Sequence, residues 1–145
     1  MSLIDTNAVI RKYLTTASAE TNPLIALVAD RIYCPRLPAG ATLPAISFFT
    51  RGGKSNPHIP DLPIVSVQFD CWALTSGSEM GSIVAQNVYR KLYDALQGLQ
   101  DTTVVIGATT YYIKSAIEEV SGQNLVDDAI PNRFRTLTFF EFILR

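Results

Sequence analysis

Few residues of this chain carry groups that could act as catalysts. The single histidine, His58, lies in a stretch rich in proline and glycine, with no sequence neighbour that could orient it as a general base. Glu118 and Glu119 are adjacent, and adjacent residues of a strand point to opposite faces, so they cannot share a substrate. We expect both carboxylates to be solvated. The sequence therefore predicts no catalytic residue and a protein that is not an enzyme.

The sequence also has no residue pattern that is typical of a metal or cofactor site. Asp127 and Asp128 are not followed by the alternating oxygen ligands of a calcium loop, so a turn or a helix cap is the simpler interpretation. Cys34 and Cys71 are too few and too far apart for a zinc site, and we expect free thiols. No metal and no cofactor is predicted.

The segment Arg51-Gly52-Gly53-Lys54-Ser55 has some features of a phosphate-binding loop. The full motif has another glycine five residues before the glycine of Gly-Lys-Ser, and a helix directly after it. In this chain Phe48 takes the place of that glycine, and Asn56-Pro57 stops a helix. The similarity is superficial, and we predict no nucleotide site.

Length, charge and hydropathy define the class of protein. The chain has 145 residues, which fits one domain spanning 1–145. Twelve Lys and Arg against thirteen Asp and Glu give a formal charge of -1, which disfavours a protein that grips duplex DNA. Hydrophobic residues make up 48% and charged ones 17%, so some apolar surface should be left for partners.

Membrane insertion and secretion are not expected. No apolar run approaches the roughly 20 residues needed to cross a bilayer. The start, Met1 to Asp5, lacks the basic and apolar regions of a signal peptide. We expect the protein to stay in the cytoplasm of the cell that makes it.

A strand, a turn and a long amphipathic helix are predicted between Pro63 and Leu99. From Ile64 to Leu74 the odd positions are apolar and polar residues interrupt the even ones, which indicates a half-buried strand. Ser78 can cap a helix over about 78–97, which Gly98 ends in a left-handed conformation. Its apolar stripe should pack on one face of the sheet, and consists of Met80, Ile83, Val84, Val88, Leu92, Ala95, Leu96 and Leu99.

The other predicted elements extend this sheet or cover it. Asp5 caps an N-terminal helix that ends before Thr15, and Asn22-Pro23 opens a second short helix. Further strands are expected at 45–50, 102–106, 110–120 and 134–144, with polar connections at 51–62 and 121–132. Together these patterns predict an α+β fold with a mainly antiparallel sheet of 4–5 strands.

Three aromatic residues leave a different class of function open. Trp72, Tyr89 and Tyr93 could line a pocket, as in a small ligand-binding or enzymatic α+β domain. A tryptophan on a strand beneath a helix is more often a packing anchor. The pocket is therefore the alternative interpretation.

Several stretches between residues 31 and 96 resemble the tail-completion family of tailed bacteriophages, small proteins related to tail terminators and tail-to-head joining proteins. They are Arg31-Ile32-Tyr33, then Leu43 to Phe48, then Val67 to Trp72, and Ser-Ile-Val-Ala-Gln-Asn-Val-Tyr-Arg-Lys-Leu-Tyr-Asp-Ala-Leu after Gly81. In architecture the resemblance covers residues 5–145. It implies an α+β fold with the central helix packed on a mainly antiparallel sheet.

The resemblance also implies a structural virion protein. Such a protein forms a ring, commonly a hexamer, at the head-proximal end of the tail, where it ends tube growth and joins tail to head. Its expected partners are its own copies, the tail tube protein and the head-tail connector or stopper protein, while DNA passes without sequence-specific binding. The implied location is the tail or neck of a virion assembled in the host cytoplasm. A head-side connector or stopper is the close alternative.

Two regions are candidates for contacts between subunits or between rings. The connection 51–62 is longer than usual hairpin loops, and Arg51, Lys54 and His58 supply its polar groups. The last strand is apolar on both sides, which is typical of a strand that is covered or shared with another chain. Phe139 and Ile143 are its candidate contact residues.

Overall fold

The computed structural model describes residues 3–55, 57–59, 62–126 and 130–145. Asp127 and Asp128, considered above for cation binding, lie outside these residues. The described helices are α1 (Thr6–Thr15), α2 (Asn22–Val28) and α3 (Gly81–Leu96). The described strands are β1 (Ile32–Tyr33), β2 (Ala45–Lys54), β3 (Ile64–Leu74), β4 (Leu99–Ile106), β5 (Thr109–Val126) and β6 (Arg133–Leu144).

The six strands form one mixed sheet in the order β1-β2-β3-β6-β5-β4. β1 pairs with β2 in parallel, and the other described pairs are antiparallel. The α+β class is confirmed. The sheet has six strands instead of the predicted 4–5, because the two-residue β1 adds to its edge.

The sheet is curled, and α1 lies between its two edges. This helix contacts β1 and β2 at one edge and β4 at the other. Thr50 Oγ1 donates to Asn7 Oδ1 at 2.8 Å, and Tyr13 Oη donates to the backbone oxygen of Ala95 in α3 at 2.6 Å. Asp5 caps α1 as predicted, accepting from the Ala8 amide at 3.1 Å.

One face of the sheet holds the core. The odd residues of β3 from Val67 to Ala73 are buried there, and Phe69 packs against Phe48, Phe140 and Phe142 with ring centroids 5.6, 5.9 and 6.2 Å away. α3 contacts β3 and β6 and adds Val88 and other apolar residues to the same cluster. Burial of this apolar surface is the main favourable term in folding.

The start of α3 differs from the prediction. The helix begins at Gly81, and Ser78 does not cap it; Thr75 Oγ1 instead accepts from the Gly81 amide at 3.0 Å. Met80 and Ile83, predicted to face the core, are 63% and 56% exposed. They lie at the N-terminal end of the helix, whereas buried residues continue to Leu96. The described helices include none long and apolar enough to span a bilayer.

Two predicted connections are partly strand. β2 continues to Lys54, so residues 52–54 pair with β3 after a bulge at Arg51, between Thr50 and Gly52. β5 continues to Val126, paired with β6 through several bulges. Polar and glycine residues disfavour strands locally, but ladder hydrogen bonds to an already formed strand override that preference. Gly98 has the predicted left-handed conformation, with φ of 81°.

Candidate subunit interface

The sheet face opposite the core carries apolar side chains among polar and charged ones, and the described helices pack on the other side. We call it the open face. Its side chains come from the even positions of β3, the odd positions of β6 and the residues that pair with them. Its larger apolar members are half-buried or exposed, and are Phe49, Trp72, Ile117, Val120, Leu137, Phe139 and Ile143.

Four of the five predicted contact residues lie on this face. The Arg51 guanidinium carbon is 4.1 Å from the centre of the Phe139 ring. Lys54 and Ile143 both pair with Ile64, from opposite sides, so these three residues form one row across the sheet. The fifth residue, His58, is exposed in the described segment 57–59, beyond the end of β2.

The contact between Arg51 and Phe139 is a cation–π interaction. The guanidinium is attracted to the aromatic face, an interaction of about 0.5–1 kcal/mol at an exposed site. Phenylalanine and arginine are also among the residue types enriched at protein interfaces. This end of the open face is therefore suited to contact another protein.

A second cluster surrounds Trp72 at the other end of β3. Its indole Nε1 donates to Ser47 Oγ at 2.9 Å, and the Arg133 and Arg135 guanidinium carbons lie 4.8 and 5.4 Å from its ring centre. Because Trp72 lies on the open face, the expectation of a tryptophan beneath a helix is wrong. The sequence signal was available, since Trp72 is an even position of β3.

Asp70 is the buried charge of this cluster, with only 5% exposure. Arg135 donates to Asp70 Oδ1 at 3.3 Å, and Gln68 Nε2 donates to Asp70 Oδ2 at 3.2 Å. Burial raises the pKa of the carboxyl, while the hydrogen bond from Gln68 and the charge of Arg135 oppose that rise. The cluster holds its charged groups in fixed positions beside the exposed face.

The alternative pocket of Trp72, Tyr89 and Tyr93 is not formed. The tyrosines belong to α3 and lie on the core side, where Tyr89 Oη donates to Glu118 Oε2 at 2.7 Å and the Tyr93 ring lies 6.5 Å from that of Phe140. Burial and the bond to Glu118 raise the pKa of Tyr89 to about 12. The sheet separates these tyrosines from Trp72.

Glu118 and Glu119 point to opposite faces, as predicted. Glu118 Oε2 also accepts from Thr138 Oγ1 at 2.9 Å, so it is part of a hydrogen-bonded network, contrary to the expectation of a solvated carboxylate. Glu119 is exposed on the open face and accepts from Ser66 Oγ at 2.6 Å. Neither arrangement creates a carboxylate pair.

Beside β4 lies a groove of about 620 Å³. Tyr13 and Thr16 of the α1 region line one wall, and residues 102–105 line the other. Lys12 and Glu20 add one charge of each sign. In the described part of the chain, no group of three or more His, Cys, Asp or Glu residues could hold a metal ion.

Comparison with known proteins finds similarity in structure. No family model and no curated protein matches the chain. A chain in the solved structure "Virion of native gene transfer agent (GTA) particle" matches with a TM-score of 0.63 and 15% sequence identity. The match covers 96% of this chain and 93% of that chain. At this identity, the match shows that the two chains share a fold.

Proposed function

We propose that this chain is a structural subunit of a phage-like virion and is not an enzyme. The observation that carries the proposal is its fold, which matches a chain of a gene transfer agent virion over nearly the full length of both. The bacteriophage tail-completion pattern between residues 31 and 96 points to the same class of particle. The chain would then be located in the tail or neck of a virion assembled in the host cytoplasm.

Within that particle, the chain forms a ring at the head-proximal end of the tail, as a hexamer. Copies meet head to tail, because such heterologous contacts close into rings. The open face supplies apolar contact surface, with Arg51 on Phe139 as a preformed contact and Lys54 and Ile143 beside it. His58, which is exposed, contacts a neighbouring subunit or ring.

The ring ends growth of the tail tube and presents a surface to the head. Its partners are the tail tube protein on one side and the head-tail connector or stopper protein on the other. DNA passes through the channel without sequence-specific binding, since a formal charge of -1 offers little attraction for phosphates. No metal and no cofactor takes part.

Tube capping tests this proposal. Purified chain is added to growing tubes of the tail tube protein from the same particle, and tube lengths are measured by negative-stain electron microscopy. We expect elongation to stop and annular density to cover one end. Tubes that grow to the same lengths with and without the chain would contradict a terminator.

The same samples test the head-side alternative. Heads that carry a portal are incubated with the chain under identical conditions. Binding to these heads with no binding to tubes would assign the chain to the connector or stopper level. A chain that remains monomeric, binds neither structure and turns over a small molecule would refute a structural virion role.

A further inference from the structure

The side of α3 that faces away from the sheet is exposed from its first turn to its last. Val88 and Leu92 point to the core, and a second set of residues recurs every three or four positions on the opposite side. We call this set the outer stripe, and its members are Met80, Ile83, Asn87, Arg90, Asp94 and Gln97. From its N-terminal end, the stripe is apolar first, then positive at Arg90 and negative at Asp94.

The outer stripe combines exposed apolar groups with charges that have no counter-charge in the described chain. Met80 and Ile83 are neighbours on the helix surface, and both are more than half exposed. Arg90 and Asp94 form no ion pair with any described residue. Adjacent exposed apolar side chains that are bordered by charges are typical of a protein interaction site.

Along β6, the open face presents groups in the complementary order. Leu137 is apolar, and Glu141 follows it on the same face of the strand. Glu119 of β5 lines the same shallow cleft as Glu141. Lys54 also lines that cleft and lies in the row of Ile143, one step further along β6. The open face is therefore apolar first, then negative, then positive.

The spacing of these groups also agrees. In the outer stripe, Ile83 lies about 10 Å from Arg90, and the negative group lies about 6 Å further, at about 1.5 Å per residue. On the open face, Leu137 lies about 13 Å from Glu141, and the row of Lys54 lies about 7 Å further, at about 3.3 Å per residue. The differences of about 1–3 Å are within the reach of long charged side chains.

A head-to-tail ring needs two different contact surfaces on each copy. The outer stripe and the open face lie on opposite sides of the sheet, so one copy can use both at once. Opposite charges across such a contact fix its register and exclude other arrangements.

We propose that the outer stripe of one copy packs along β6 on the open face of the next copy. Arg90 then lies against Glu119 and Glu141. Asp94 lies against Lys54, and the apolar start of the stripe covers the apolar residues of β6. The inference rests on the proposed ring, to which it assigns the two surfaces that meet.

Charge reversal tests this contact. Arg90→Glu and Glu141→Arg each place like charges opposite each other, so each variant alone should need at least tenfold more protein to cap tubes. Both side chains are exposed, so the circular dichroism spectrum should not change. Arg36→Glu is the matched control, because Arg36 is exposed between β1 and β2, outside both surfaces. It should cap like the natural chain.

An equal mixture of the two variants gives the sharpest result. In an alternating ring with an even number of copies, the Arg90→Glu stripe meets the Glu141→Arg face at every second contact. The natural stripe meets the natural face at the other contacts. Every contact is then complementary, so the mixture should cap tubes at close to the natural concentration, and the chain that carries both substitutions should do the same.

Cross-linking tests the apolar end of the contact. Ile83→Cys and Leu137→Cys are combined in a Cys34→Ser background, because Cys34 is exposed whereas Cys71 is buried. Capped tubes are treated with a short bis-maleimide and run on denaturing gels. We expect a ladder of covalent multimers that ends at the number of copies in the ring. Arg36→Cys in place of Ile83→Cys should give no ladder.

The outcomes separate this inference from the proposed function. If the natural chain neither forms rings nor caps tubes, the proposed function is wrong. If it caps tubes but neither charge reversal weakens capping, or the mixture stays as weak as its components, the ring stands and the assigned contact is refuted. Cross-links that form only with cysteines placed in the tube protein would give the outer stripe a different partner and also overturn the assignment.

Discussion

Two neighbouring phenylalanines of β6 provide a sharp test, because they lie on opposite faces of the sheet. Phe140 is fully buried in the core and contacts the rings of Phe69, Phe142 and Tyr93. Phe139 is half-buried on the open face and carries the Arg51 guanidinium. Phe140→Ala should damage the fold, whereas Phe139→Ala should damage assembly.

The expected magnitudes differ clearly. Phe140→Ala removes a fully buried ring and leaves a cavity, which costs about 3–5 kcal/mol. Phe139→Ala leaves no enclosed cavity, so it loses only about half of the roughly 1.5–3 kcal/mol that full burial of such a side chain contributes. With a cation–π contact of about 0.5–1 kcal/mol, we expect a total of about 1–2.5 kcal/mol. At roughly 2–4 °C per kcal/mol, the melting temperature should fall by about 6–20 °C in the first case and about 2–10 °C in the second.

For assembly, we expect the larger effect from Phe139→Ala. An aromatic residue at the centre of an interface is worth about 2 kcal/mol or more, which weakens a subunit contact roughly 30-fold when the ring is removed. Free energies of unfolding come from guanidinium titrations followed by circular dichroism, and assembly comes from tube-capping titrations. The reasoning is refuted if Phe139→Ala caps tubes like the natural chain, or if it destabilises the fold as much as Phe140→Ala.

Three further substitutions test the fold. Tyr13→Phe leaves the Ala95 oxygen without its donor and should lower the free energy of unfolding by about 1–2 kcal/mol in denaturant titrations. Because burial raises the pKa of Tyr13 to about 12, the free energy of unfolding of the natural chain should also fall as the pH rises from 10 to 12. The variant should lack that fall. The pKa of the Asp70 carboxyl is raised, so at a pH just above its usual pKa of 3.8 the native state binds more protons than the unfolded chain. The free energy of unfolding should therefore fall as the pH rises above 3.8. Asp70→Asn should flatten this part of the pH profile, and an unchanged slope would contradict the prediction. Gly81→Ala would place a Cβ 2.6 Å from Phe134 Cδ2 and 2.7 Å from the Thr75 backbone nitrogen, and should cost about 1–3 kcal/mol by calorimetry, whereas Ser82→Ala should change little.

Local patterns predicted the elements whose two faces differ most. The strand from Ile64 to Leu74 has apolar residues at its odd positions and the polar residues Ser66, Gln68 and Asp70 between them, and the structure has the same bounds. The cap at Asp5 and the left-handed Gly98 were also predictable, because each depends on residues adjacent in the chain. Short-range preferences are sufficient for such features.

Features that depend on distant residues were not predictable from those patterns. Residues 51–54 form strand because β3 offers a ladder, although their glycines favour a loop. β5 runs on to Val126 since β6 pairs with it across bulges, despite its polar composition. Met80 and Ile83 continue the apolar spacing of α3, yet nothing in that spacing shows that they lie at an exposed end of the helix.

The candidate interface was predictable in part. Apolar residues on both sides of β6 indicated a shared surface, which led to Phe139 and Ile143. The stacking of Arg51 on Phe139 required the register of β2, β3 and β6, which only the folded sheet supplies. The role of this face as a subunit contact stays a prediction.

A cryo-EM reconstruction of the tail end of the particle that carries this chain tests the central claim most directly. The account predicts a closed ring at the head-proximal end of the tail tube, built from copies of this fold around an open channel. A chain that is missing from the particle, or that is present away from the tail end as a single copy, would contradict it.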